Sequence, residues 1–144
     1  MALESQTDVE QLADALTQTA DASHAWLLQA IGNRTITPDE ARAAFHQETL
    51  LRQQANSLYV DAATCIVQGL ALPQKEFMGI IRDANKRVAR IKKIAVFMDL
   101  LADLLALASA CCAAKPKPIL AALKEIKQDV ENLRQKTPVR SKSA

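Results

Sequence analysis

Glycine, histidine and aromatic residues are scarce in this chain of 144 residues, which holds 3 Gly, 2 His, 3 Phe, 1 Trp and 1 Tyr. A glycine-built phosphate cradle, a histidine-rich metal centre and an aromatic platform for stacking nucleobases each lack material. A dominant charge is missing too: 18 Lys and Arg face 16 Asp and Glu, for a net +2. The N-terminus, MALESQTDVEQLADAL, has no basic stretch leading into an apolar run, so no secretory signal is expected. Three cysteines, Cys65, Cys111 and Cys112, form an odd set. Adjacent helical residues point about 100° apart, so Cys111 and Cys112 are poorly placed to bridge. The cysteines read as small apolar residues of a reduced, cytoplasmic protein, in surroundings that raise a thiol's pKa.

What is present is helical periodicity in an ordinary globular composition, 49% apolar and 24% charged. Gly32-Asn33, Pro38, Gly69, Pro73, the Lys-Pro-Lys-Pro of 115–118 and Pro138 divide the chain into four segments. The first opens on Thr7-Asp8-Val9-Glu10, a capping-box pattern, and carries Val9, Leu12, Leu16, Ala20, Ser23 and Leu27 on one face. The second opens on Thr37-Pro38-Asp39-Glu40, with a cap, Pro at the first helical position and acids in the first turn, and runs to Gly69. In the third, Phe77, Ile81, Ala84, Val88, Ile91, Ala95, Met98, Ala102 and Leu105 follow a heptad seam. No breaker interrupts it except Gly79, near its start, which predicts one helix of about 40 residues, 73–114, roughly 60 Å long. The fourth begins at Pro118 and repeats the period with Ile119, Leu123, Ile126, Val130 and Leu133. The expectation is an all-α antiparallel bundle of four helices in one domain, 1–136, with a disordered basic tail at 137–144.

The long third helix has two unlike halves. Arg82, Lys86, Arg90 and Lys93 fall within about 80° of one another on an ideal helix and make a basic stripe. Residues 94–114 are apolar on nearly every side, with Val96, Phe97, Leu100, Leu104 and Leu107 lying off the seam. A helix that is apolar all round must be covered all round. The stretch is long enough to cross a bilayer. However, the gain from its Leu, Ile, Val and Phe, roughly 2 to 5 kcal/mol, is about cancelled by Asp99 and Asp103. Those two carboxylates need partners, for which Arg42 or Arg52 are candidates. Charge is segregated as well: residues 1–72 hold 9 acids and 3 bases, net −6, and 73–144 hold 15 bases and 7 acids, net +8. This favours docking of one half on the other, within a chain or between chains.

No complete catalytic set emerges. Asp21-Ala-Ser-His24 has a ligand-like spacing, with His46 and Glu48 further on, but a carboxylate-bridged metal bundle needs two such motifs. Trp26 and Tyr59 read as half-buried anchors. The expectation is therefore a non-enzymatic module without metal or cofactor: an adaptor, chaperone or inhibitor/immunity-type protein. It would bind a protein partner or a second copy through the basic stripe and through Phe97, Asp99, Leu100, Asp103, Leu104 and Leu107. Nucleic acid is disfavoured. The alternative is a membrane-active protein that inserts 94–114 as part of a helical hairpin or assembly.

Overall fold

The computed structural model describes residues 1–133 in full and the backbone course alone from there to Ser143. The expected disordered tail, 137–144, lies outside the fully described residues. Among the described residues the architecture is all-α, with five helices: α1 (Gln6–Gly32), α2 (Pro38–Val60), α3 (Gln74–Val88), α4 (Ile94–Cys112) and α5 (Pro116–Ser143). They close a ring about one core. α1 packs on α2 and α3, α4 packs on α2 and α5, and α5 returns to α3.

Local sequence sets most of the helix ends. At α2 the capping box is complete: the Glu40 N–H donates to Thr37 Oγ1 at 3.1 Å, and the Thr37 N–H donates to Glu40 Oε1 at 2.8 Å. α1 is capped by Ser5 rather than Thr7, its hydroxyl accepting from the Asp8 N–H at 3.1 Å. α1 and α4 both end in Schellman motifs. After α1, Thr35 N–H reaches Ala30 O and Arg34 N–H reaches Ile31 O; after α4, Lys115 N–H reaches Ala110 O and Ala114 N–H reaches Cys111 O. The left-handed position is held by Arg34 (φ 58°) in one and Ala114 (φ 54°) in the other, where glycine is the usual occupant.

The expected helix of about 40 residues does not form: the chain breaks between Val88 and Ile94, giving five helices instead of four. Arg90 N–H and Ile91 N–H turn back to the carbonyls of Arg87 and Val88, tightening the last turn of α3. The Ile91 carbonyl, freed from helical bonding, accepts the indole N–H of Trp26 at 2.8 Å. Electrostatics favours the same outcome. In a continuous helix Lys86, Arg90 and Lys93 would stack like charges at spacings of four and three. With α3 ending at Val88, Lys86 and Arg87 instead meet the negative end of its dipole.

The break also shifts the buried face. Phe77, Ile81, Ala84, Val88 and Ile91 are buried as the seam requires. Beyond the break the core takes Phe97, Leu100, Leu101, Leu104, Leu107, Ala108 and Cys111, while the seam positions Ala95 and Ala102 face water. Four of the residues expected to be surplus, Phe97, Leu100, Leu104 and Leu107, are thus core of this same chain.

α2 stops nine residues before Gly69. The residues beyond it, Ala62, Cys65, Val67 and Leu70, are still buried, but as an irregular segment. The N-terminal residues explain this. Ala2 and Leu3 are fully buried; Ala2 N–H donates to Leu72 O at 2.7 Å, and Leu3 O accepts from Val67 N–H at 2.9 Å. Gln74, first residue of α3, ties the corner together. Its Oε1 accepts from Leu3 N–H, and its Nε2 donates to Asp8 O and Gln11 Oε1.

Candidate functional site

The basic stripe is split by the break. Arg82 and Lys86 share the solvent side of α3, opposite buried Phe77, Ile81 and Ala84; Arg90 lies in the connection and Lys93 is the N-cap of α4. All four are exposed, and none has an ion-pair partner among the described residues. Their neighbour Arg87 does, at 3.5 Å from Asp83. The ion pairs Asp21–Arg52, Glu48–Arg52, Asp39–Arg42 and Asp83–Arg87 each join residues of one half of the chain. The acidic half does not neutralise the stripe through any of them.

α4 is the most apolar helix, with a mean hydropathy of 2.0 over 18 residues, yet only 44% of that stretch is buried. α2 and α5 cover one side. The other presents Ala95, Asp99, Ala102, Ala106, Ser109 and Ala113 to water, edged by half-buried Val96, Met98 and Leu105. The uncovered face is real but built of small side chains, and its large apolar residues point inward.

Asp99 and Asp103 do not meet Arg42 or Arg52, which are engaged elsewhere. Asp103 instead faces Asp129 of α5. Burial, then the hydrogen bond and charge of Asp103, then Asp99 and Glu125, push the Asp129 carboxyl up to about 8. Asp129 Oδ2 is shut off from solvent and meets no hydrogen-bond donor among the described residues. A carboxylate is costly to ionise when buried beside another, so Asp129 keeps its proton to higher pH.

The Asp21-x-x-His24 pattern does assemble, around a cation rather than a metal. Arg52 donates through Nε to Glu48 Oε2 and through Nη1 to Asp21 Oδ1, both at 2.8 Å. His24 Nδ1 lies 2.9 Å from the other Glu48 oxygen. Glu48 is 5% exposed, so the guanidinium compensates a buried carboxylate, and its hydrogen bond to Glu48 raises the Arg52 pKa. His46 is exposed and takes no part. Among the described residues, no group of three or more His, Cys, Asp or Glu is arranged to hold a metal. Arg52, expected to meet Asp99 or Asp103, belongs to this cluster instead, as the i+4 neighbour of Glu48.

A feature that periodicity did not single out is a groove of about 420 Å³ between α3 and α5. Leu72, Ile80, Leu120, Leu123, Glu76 and Lys127 are among the residues that line it. Trp26 is the half-buried anchor expected of it, whereas Tyr59 is 53% exposed. Comparison with known protein families, with curated proteins and with solved structures finds no match to this chain.

Proposed function

We propose that the chain is a non-enzymatic helical interaction module, an adaptor, chaperone or inhibitor-type protein. It docks a partner helix on the exposed face of α4 and on the cations at the α3–α4 corner. The observation that carries this reading is the half-covered state of α4, the most apolar helix of the chain. Leaving apolar surface in water forgoes about 25 cal/mol for each Å² that could be covered. Side chains no larger than Ala102, Ala106 and Ser109 let another helix approach closely. Exposed Arg90, Lys92 and Lys93 at the start of α4 favour an acidic flank on that helix.

Ala106→Arg tests it, since Ala106 is exposed and the change should leave the fold intact. Sedimentation velocity over a wide concentration range reports self-association, and affinity purification of the native complex reports a different protein. The expected result is an assembly by one of these routes that Ala106→Arg and Arg90→Glu both weaken. A monomer with no stoichiometric partner, or an assembly indifferent to both changes, overturns the reading.

A second reading rests on the length of α4, 19 residues, with Lys92 and Lys93 before it and Lys115 and Lys117 after it. It is a membrane-active protein in which 94–114 enters a bilayer. Phe97, Leu100, Leu104 and Leu107 would have to leave the core for this. Co-sedimentation with anionic vesicles at low and high salt distinguishes it: salt-resistant binding favours insertion, and no binding in either condition removes it.

A further inference from the structure

The three cysteines, read from sequence as inert apolar filling, converge at one corner of the bundle. Cys65 lies in the irregular segment after α2, and Cys112 is the last residue of α4. The Cys65 thiol lies 3.9 Å from the Cys112 carbonyl oxygen. The Cys112 thiol is turned to Gln54 of α2, 3.0 Å from Oε1 and 3.9 Å from the backbone oxygen. Cys65 is buried and Cys112 half-buried, so solvent reaches only the second. Burial first, and then the neighbouring Cys65 and Asp61, push the Cys112 thiol up. Cys111 is buried deeper; burial first, and then Cys112 and Cys65, push its thiol up.

We propose that Cys65 and Cys112 form a reversible disulfide, a modification site that clamps the segment between α2 and α3 to the end of α4. The Cys65 sulfur lies 3.9 Å from the Cys112 carbonyl oxygen, itself two bonds from the Cys112 Cα, so the two cysteines are neighbours at this corner. Bond formation requires the Cys112 side chain to turn away from Gln54 and the irregular segment carrying Cys65 to close the remaining distance.

The co-reactant is a small-molecule disulfide. Cys112 gives its proton to solvent, and its thiolate attacks one sulfur of the reagent, forming a mixed disulfide and expelling one thiolate. Cys65 then loses its proton and attacks the Cys112 sulfur, forming the internal bond and expelling the second thiolate. Two protein thiols are oxidised, and one reagent disulfide is reduced to two thiols. Because Cys112 is half-buried with its thiol pushed up, the first step is slow near neutrality and quickens as pH rises. The clamp also reaches the N-terminus, since Val67 and Leu72 of the clamped segment hold Leu3 and Ala2.

The test is incubation of the native full-length protein with oxidised glutathione, alkylation of remaining thiols, and peptide mass spectrometry without reductant. The expected product links Cys65 to Cys112 and leaves Cys111 free for alkylation after unfolding. Cys111→Ser should form the same link, and Cys65→Ser should halt at the glutathione adduct on Cys112. The linked protein should unfold at higher urea than the reduced form, and reductant should abolish the gain. A Cys111–Cys112 product, an unresolved Cys112 adduct in the wild type, or no reaction at any pH up to 9 overturns the proposal. Cys111→Ser keeps the test decisive should Cys65→Ser fail to fold.

Discussion

The indole of Trp26 lies flat against the ring of Phe97, their centroids 4.1 Å apart and their planes 10° from parallel. The same indole donates to the Ile91 carbonyl at 2.8 Å. One side chain of α1 therefore holds both the break between α3 and α4 and the first buried residue of α4. Trp26→Phe keeps a ring for Phe97 but leaves the Ile91 carbonyl without its donor. It should cost about 1–3 kcal/mol, read as a lower urea midpoint by circular dichroism. Trp26→Ala, which also removes the stack, should cost about 3–5 kcal/mol.

Arg52 donates through Nε to one oxygen of buried Glu48, while His24 Nδ1 meets the other. Arg52→Met should destabilise by about 2 kcal/mol, less than breaking a fully buried pair because part of the guanidinium meets water. Adding Glu48→Leu should recover most of that loss, since the unpaired carboxylate is then gone. Urea unfolding followed by the fluorescence of the single tryptophan measures both.

Asp129 gives stability a pH slope. Its carboxyl is raised from 3.8 to about 8 in the fold, by burial first and then by Asp103. The folded chain therefore holds a proton there that the unfolded chain has released. The contribution is full below about pH 4 and is lost as pH rises toward 8. Urea midpoints of the wild type should fall across that window, and those of Asp129→Asn should fall less. Above pH 8 the variant should be the more stable of the two.

Arg34 occupies the left-handed position after α1 at φ 58°. Arg34→Gly relieves that backbone while keeping both Schellman hydrogen bonds, and should stabilise by up to about 1 kcal/mol. Thermal unfolding would show it as a midpoint higher by several degrees.

Some elements could be read from local chemistry alone. The Thr37–Glu40 box, the Gly32-Asn33 stop and the apolar face of α1 need only neighbours within a turn or two, and they stand as expected. The site was less legible. Arg82, Lys86, Arg90 and Lys93 are exposed as a charged stripe should be, but a stripe on one rod differs from cations spread over a helix, a corner and a cap. Asp103 was recognised as needing a partner; that the partner would be another acid, Asp129, depends on how α5 crosses α4.

By itself the sequence determined an all-α chain and the face each helix turns inward through α3, because capping and the 3.6-residue period are properties of short segments. Tertiary structure alone decided where the long seam breaks, which side of α4 is buried, and that Ala2 and Leu3 belong to the core. A hydrophobic stripe reads much the same on a continuous helix as on two helices joined by a corner. What chose the corner was a carbonyl at Ile91 and an indole at Trp26, brought together across 65 residues by packing that no local pattern encodes.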